Sequence, residues 1–404
     1  MKNVSVVIGS LFGDEGKGHM VDICANKPST VNIRFNGGAQ AGHTVVTPDG
    51  KQHVFRHFGS GTFLGAITYL SEEFIVNTFA FEQERLELEE KFNITPIVHA
   101  NPNCIVTTLW DIYINQIVET LRGDNRHGSC GMGIDETVRR SDNIEYKITV
   151  MDLLSPSKLI TKLEKIQNEY IPIRLKNRHH ISIDDIPPKF VAKLLDKENI
   201  DMFMFYAKEF ISNVQIMDTS VIQRWDNVVF EGAQGLLLDQ NCDEFRPHLT
   251  TSNTGIKNVM KILSEIGYTE KPDLYYMTRC YMTRHGAGPF PELGKKPYLK
   301  IEDPTNLPNE FQGTLRFGIL DVDWLTRAIN KDLTNLTLPA NIYVTFTCVD
   351  QLDDIAKYHI NNTLEALEKT QFINVMSKIL NTRINGLNGI YATAGLTRND
   401  FISV

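Results

Sequence analysis

A glycine-rich loop between a strand and a helix, close to the N-terminus, limits what this chain can fold into more than any other feature. Val4 to Ile8 is a short β-branched run, and Gly13-Asp14-Glu15-Gly16-Lys17-Gly18 lies just beyond it. Gly16 to Asn26 then reads as a helix with Met20, Ile23 and Cys24 on one face. Val31 to Phe35 reads as a second strand, ending in Asn36-Gly37-Gly38. Strand, glycine loop, helix and strand in this order is the sequence form of a parallel α/β unit. Further strands are expected at Asn227 to Phe230, Asp273 to Met277, Asn341 to Phe346 and Gly389 to Ala392. Helical patterns at Thr107–Leu121, Met202–Met217, Gly255–Ile266, Val322–Asn330 and Thr363–Leu380 separate several of them.

The expected fold is therefore α/β. One large domain over 1–404 carries a mainly parallel central sheet, a P-loop-like phosphate loop and helical insertions, with a helical insertion around 151–220. Ligands of such sheets bind beyond the C-terminal ends of the strands.

Composition narrows the class. With 404 residues, 42% hydrophobic and 22% charged, the chain falls outside the collagen-like, low-complexity and disordered classes. Its 41 Lys and Arg against 49 Asp and Glu give a net charge of −8, so a basic nucleic-acid-binding surface is not expected. Cys24, Cys104, Cys130, Cys242, Cys280 and Cys348 are too scattered for a zinc knuckle or a thioredoxin-type pair. Scattered cysteines, an N-terminus unlike a signal peptide and the absence of a long apolar run point to a cytoplasmic protein with no membrane span.

Glycines in the Gly13–Gly18 loop let backbone N–H groups approach a phosphate, and the helix N-terminus behind them favours anions. Lys17 adds a point charge. This is not a Walker A loop, because Leu11 stands where that pattern needs glycine and Gly18 where it needs Ser or Thr. Asp14 and Glu15 would repel a phosphate, which makes sense if a magnesium ion or a substrate proton is also present.

A second loop, Asn36-Gly37-Gly38-Ala39-Gln40-Ala41-Gly42-His43-Thr44, places His43 where it can donate to a developing oxyanion or a moving phosphoryl group. Three weaker loops are Gly128-Ser129-Cys130-Gly131-Met132-Gly133 before Arg139-Arg140, Glu231-Gly232-Ala233-Gln234-Gly235, and Thr250-Thr251-Ser252-Asn253-Thr254. Their hydroxyls, amide and arginines suit a phosphate and a polar base. Elsewhere, Glu82 to Glu90 reads as a solvated helix face, and Tyr275, Tyr276 and Trp324 as core. Arg279 and Arg284 flank a glycine-rich turn, where a contact with nucleotide and a purely structural role are equally open.

Gly13-Asp14-Glu15-Gly16-Lys17-Gly18, Gly42-His43-Thr44, Phe230-Glu231-Gly232-Ala233-Gln234-Gly235 and Gly286-Ala287-Gly288-Pro289-Phe290-Pro291, in this order, resemble the motifs of adenylosuccinate synthetases. The resemblance implies a carbon–nitrogen ligase. A 6-oxopurine nucleotide is phosphorylated on O6, and the amino group of L-aspartate then displaces the phosphate. By that resemblance Asp14 accepts the N1 proton and, with the Gly42 carbonyl, holds Mg2+. His43 donates to O6 or to the phosphoryl group, and Lys17 holds phosphate.

The implied donor-nucleotide set is Gly13, Asp14, Glu15, Gly16, Lys17, Gly18, Gly42, His43, Thr44, Phe346 and Cys348. The implied purine-monophosphate set is Asp14, Lys17, Asn36, Gln40, Ser129, Cys130, Arg139, Gln234 and Thr250. Gln40 replaces a pocket asparagine and Cys130 a threonine. Arg139 matches an arginine that reaches the neighbouring subunit's site, which implies a homodimer.

Two stretches depart from the family. Its GTP donor is held by a Lys-x-Asp pair, and here Phe346 and Cys348 replace those two residues. Guanine's N1 and 2-amino hydrogens then lose their acceptor, so ATP or dATP is the expected donor, with Phe346 near the base. The aspartate loop, Asn309 to Gly318, is short and has one arginine, which leaves Gly313, Thr314 and Arg316 as candidates for binding aspartate.

Both departures, and the stretch His57 to Phe63, resemble a phage branch that converts dGMP, aspartate and ATP into 2-amino-2'-deoxyadenylosuccinate for diaminopurine DNA. Asp14 stands where some members of that branch carry serine. An aspartate there suits IMP and dGMP equally, because both bases carry N1–H. The expected substrate is dGMP. The alternatives are an adenylosuccinate synthetase acting on IMP and a catalytically silent nucleotide-binding homologue.

Overall fold

Strand β1 (Asn3–Gly9) is apolar on both faces, and Val4, Val6, Val7 and Ile8 are all buried. A strand of that kind needs cover on both sides, which makes it a central strand of a parallel sheet. The structure is a computed structural model that describes residues 1–291, 296–306, 308 and 310–403. After β1 come α1 (Lys17–Ala25), β2 (Thr30–Arg34), the hairpin β3 (His43–Val46) and β4 (Gln52–Phe55), β5 (Ile67–Leu70), α2 (Thr78–Phe92) and β6 (Val98–Ala100). Six helices follow: α3 (Leu109–Arg122), α4 (Ile134–Ser141), α5 (Pro156–Lys165), α6 (Ile171–His179), α7 (Pro188–Leu195) and α8 (Glu198–Asn213).

The chain then returns through β7 (Val214–Ile216), β8 (Asn227–Gly235), α9 (Lys257–Glu265), β9 (Asp273–Arg279), β10 (Tyr281–Arg284), β11 (Arg316–Asp321) and α10 (Val322–Leu333). It ends with β12 (Asn341–Thr347), β13 (Ile355–Ile360), β14 (Thr363–Glu368), α11 (Phe372–Arg383), β15 (Leu387–Thr393) and β16 (Phe401–Ser403).

Ten strands form one sheet in the order β16-β15-β12-β9-β1-β8-β2-β5-β6-β7. Every pairing in it is parallel except β15 with β16. From β1 the chain moves through α1 to β2 on one side, while β9 lies on the other. The loops that leave the C-terminal ends of β1, β8, β9 and β12 therefore diverge around one cleft, where open α/β sheets bind ligands. A second sheet, β10-β11-β13-β14, stands beside it.

The main core includes Val6, Ile8, Phe12, Phe230, Tyr276 and Phe346. A second core, with Trp110, Ile114, Leu163, Phe203 and Phe210, holds the helices between β6 and β7 together.

Three sequence expectations need correction, and one residue falls outside the described structure. Thr363–Leu380 is not one helix. Asn361 and Asn362 both have positive φ (51° and 60°), the geometry of a two-residue hairpin turn, so Thr363–Glu368 pairs with β13 as β14 and the helix starts at Phe372. The helix expected to reach Met217 stops at Asn213, because Val214–Ile216 joins the sheet edge as β7. The acidic run on α2 is not wholly solvated. Glu82 and Glu84 are buried, and the Glu84 carboxylate accepts the N–H groups of Arg56 and His57, each at 2.8 Å. Asn309, which opens the short aspartate loop, lies outside the described residues.

Candidate active site

The cleft at the strand ends is a cavity of about 710 Å3. Gly13, Asp14, Glu15, Gly16, Lys17 and Gly18 form its floor. Gly16 takes φ 82°, and a Cβ on it would come within 2.8 Å of Thr347, so the loop turns here only with glycine. No side chain caps α1 behind it. The first N–H groups of that helix are left for an anion. Side chains of Glu15 and Lys17 pass over Gly9, where an added Cβ would meet Glu15 Oε2 at 2.3 Å and Lys17 Nζ at 3.1 Å. Burial pushes the Glu15 carboxyl up to about 7 and lowers Lys17. A phosphate arriving at Lys17 favours the charged ammonium, against the pull of burial.

Three non-glycine residues on the cavity wall hold left-handed backbone: Asp14 (φ 58°), Gln234 (φ 67°) and Cys348 (φ 60°). Such residues cost about 1–3 kcal/mol each and cluster at functional sites. The Asp14 loop is tied down from behind. Thr283 Oγ1 donates to the Gly13 carbonyl at 2.9 Å, and Arg279 Nε donates to the Asp14 carbonyl at 2.5 Å.

His43 is buried beside Lys17, and its Nδ1 lies 2.5 Å from Glu231 Oε1. Glu231 also accepts the Ser60 hydroxyl at 2.6 Å and the Ser60 N–H at 2.9 Å. Burial opposes the Glu231 charge, but Arg34, His43 and Ser60 outweigh it and hold the carboxyl down to about 2. A permanent carboxylate at Nδ1 fixes the tautomer, so His43 turns its Nε2 elsewhere. Nε2 is buried without a partner. Burial lowers His43 to about 4, against the pull of Glu231. The Gln40 amide is likewise buried with both heteroatoms unpaired, on the same cavity. Unpaired polar atoms facing a cavity mark groups awaiting a ligand.

Of the residues expected in the site, Gly42, Thr44, Cys130, Gln234 and Cys348 also line this cavity. Others do not. Phe346 is fully buried and packs edge-on against Phe372 at 5.7 Å. Side chains alternate along β12, so Thr347 faces the cleft and Phe346 the core. Asn36 exchanges hydrogen bonds with the Ala233 backbone (2.7 and 3.0 Å), which staples the second loop to β8 instead of lining the cavity.

Ser129 accepts from Asn115 at 2.8 Å, and Thr250 is half-buried off the wall. Arg139 stands half-exposed, 3.5 Å from Asp135. Gly313 and Thr314 are exposed. Arg316 gives Nη1 to Gly288 O (3.0 Å) and Nη2 to Gly286 O (2.6 Å), while Gln312 of the same loop reaches the cavity.

Sequence reading missed Glu231 as the partner of His43 and Ser60 as the partner of Glu231, along with Asp303 and His285 on the wall. Glu231 and Ser60 both stand inside recognisable motifs, but their pairing across 171 residues has no local signal. Of the two arginines flanking the glycine turn, Arg279 lines the cavity. Arg284 packs on the Phe12 ring at 4.3 Å in the core.

The family model described as Adenylosuccinate synthetase matches residues 6–380. The chain belongs to the adenylosuccinate synthetase family. Curated adenylosuccinate synthetases agree with that. One from Coxiella burnetii is 29% identical over 88% of this chain and 78% of its own. One from Dichelobacter nodosus is 31% identical over 87% and 78%, and one from Psychrobacter is 32% identical over 81% and 74%.

Two solved structures share the fold. Fully ligated adenylosuccinate synthetase from Plasmodium falciparum superposes with a TM-score of 0.75 at 18% identity, covering all of both chains. Succinoaminodeoxyadenylate synthetase of cyanophage S-2L, bound to dGMP and to dATP as an energy donor, gives 0.57 at 13% identity, covering all of this chain and 95% of the other. As an adenylosuccinate synthetase-type protein the chain is a carbon–nitrogen ligase that uses aspartate and a nucleotide donor. Among the described residues no helix is long and apolar enough to cross a membrane.

Proposed function

We propose that this chain phosphorylates O6 of a 6-oxopurine nucleoside monophosphate with an adenine nucleotide, and then joins L-aspartate to C6. The arrangement of Asp14, Lys17 and His43 around one cavity carries this reading. Asp14 takes the N1 proton, which moves electron density onto O6. Lys17 and the uncapped α1 N-terminus hold the transferred phosphate. His43 turns Nε2 to the reacting oxygens while Glu231 holds its far side. The anionic phosphoryl group supplies the charge that favours an imidazolium there.

Family membership implies Mg2+. The donors available, the Asp14 carboxylate and the Gly42 carbonyl, are hard oxygens on the same wall and fit that ion together with donor phosphates. When bound, the ion neutralises charge on the donor phosphates.

The donor base lies against Thr347, Cys348, Gln351, Thr393, Gly395 and Leu396. Cys348 offers guanine no carboxylate there, so ATP or dATP is the donor in this reading. Aspartate is taken by the loop of Gln312, Gly313 and Thr314. Arg316 is spent on two carbonyls. The half-exposed Arg139 suits an active site completed across a homodimer.

For the monophosphate, the names of the curated relatives favour IMP, and IMP is the first reading. A second reading, dGMP, is favoured by the donor pocket. Cys348 stands there in place of the family's guanine-binding carboxylate, and the phage S-2L enzyme binds dGMP with dATP as an energy donor. A carboxylate at Asp14 accepts N1–H from either base, and from guanine the adjacent 2-amino hydrogen as well. The test is turnover with aspartate and ATP on IMP or on dGMP in parallel. Consumption of neither would overturn the ligase reading, and consumption of one alone chooses between the two.

A further inference from the structure

His285 begins the turn after β10 and sits on the cavity wall. Its Nε2 lies 3.0 Å from Asn306 Oδ1 and 3.5 Å from Asp14 Oδ2. The amide of Asn306 is oriented by its own contact, since its Nδ2 donates to Asp303 Oδ1 at 2.7 Å, so the atom facing His285 is the carbonyl oxygen. Both neighbours of Nε2 are therefore acceptors, so Nε2 carries the proton; its hydrogen bond goes to Asn306, and the Asp14 carboxylate lies beside it at ion-pair distance.

Asp303 is the anchor of a parallel link. Its Oδ2 accepts Arg279 Nη2 at 2.8 Å, and Arg279 Nε holds the Asp14 carbonyl. The segment from Asp303 to Asn306 thus grips Asp14 twice, at the backbone through Arg279 and at the carboxylate through His285. Asp14 has left-handed backbone, which leaves its side chain without support from a helix or strand. A base whose carboxylate is aimed by a neighbouring donor keeps the alignment that proton removal needs, and small misplacements cost rate more than binding.

We propose that His285 is a positioning residue that aims the Asp14 carboxylate at the purine N1 hydrogen, with Asn306 holding the imidazole in place. The inference rests on the reading of Asp14 as the base given above. It also makes the segment 303–306, which leads toward the aspartate loop, part of the device that sets the first half-reaction.

The test compares wild type with His285→Leu and His285→Gln, measuring kcat and KM for the monophosphate and its dissociation constant by calorimetry. Leu removes the donor, while Gln restores an N–H on a side chain of similar reach. The expected result for Leu is a fall in kcat of about 10-fold or more, with KM and the dissociation constant within about 2-fold of wild type. Gln should recover most of the loss. Equal kcat in all three proteins, a loss confined to KM, or a loss that Gln does not restore would each overturn the proposal.

If His285→Leu does not fold, Asn306→Ala carries the test. A fall in kcat at unchanged KM supports the proposal, and an unchanged kcat overturns it. A wild-type protein silent toward both IMP and dGMP would overturn the reading of the site and this inference with it. An active wild type with an equally active His285→Leu would overturn the inference alone.

Discussion

His43 Nδ1 and Glu231 Oε1 face each other at 2.5 Å across the end of the sheet, joining the start of β3 to strand β8. The carboxylate, fixed in turn by both donors of Ser60, leaves the imidazole one way to stand, with Nε2 toward the cavity. Replacing Glu231 by Gln keeps the size but offers His43 an amide that can bond either tautomer. In a Ser-His-Asp triad the comparable change lowers kcat by about 10^4 through the wrong tautomer. A fall of at least about 10^2 in kcat, with nucleotide affinity held, is expected for Glu231→Gln. Steady-state kinetics with calorimetry checks it.

Replacing Asp14 by Ala removes the proton acceptor and leaves Lys17 and the helix N-terminus in place. General-base removal typically costs about 10^2–10^4 in rate. Turnover should fall by that order while the purine monophosphate still binds in calorimetry. Retained turnover would show that another group takes the proton.

Cys348 offers a direct handle on donor choice. It lines the cavity in left-handed backbone, a conformation aspartate tolerates better than most residues. Cys348→Asp places a carboxylate where guanine hydrogens need an acceptor. The ratio of kcat/KM for GTP over ATP should rise by about 10-fold or more, the weight of one buried hydrogen-bonded pair. Competition kinetics with the two donors reads that ratio directly.

Asp332 makes a stability prediction with a definite sign. Burial pushes its carboxyl up to about 7, although Tyr276 and the Ile256 N–H donate to it. Between about pH 4, where an unfolded aspartate has ionised, and pH 7 the folded chain keeps a proton the unfolded chain has released. Stability from this group is therefore full below that window and is lost as pH rises through it. Asp332→Asn should lessen the decline in melting temperature between about pH 5 and pH 8. Parallel declines in the two proteins would contradict this.

Much of the fold was legible because its signals are local. The β-branched runs, the glycine loops after them and the helix patterns between them gave β1, α1, β2, β8, β9, β12 and β15 to within a few residues. The shape of the glycine loop after β1 was readable for the same reason, since its glycines are set by positive φ and by close approach. The reading failed where tertiary pairing decided. Thr363–Glu368 has helical composition, but two adjacent asparagines turn it back onto β13. Phe346 and Thr347 are neighbours in sequence, yet only the pleat says which of them faces the cavity. Glu231, Ser60, Asp303 and His285 act through partners distant in the chain, and a single sequence contains no distance between them.

The central claim is that O6 of the purine becomes the phosphate leaving group. The most direct test uses a monophosphate labelled with 18O at position 6, incubated with aspartate and ATP, followed by mass analysis of the inorganic phosphate released. The account predicts that the label moves from the purine into phosphate in step with product formation. Unlabelled phosphate, with the 18O appearing in water instead, would contradict it.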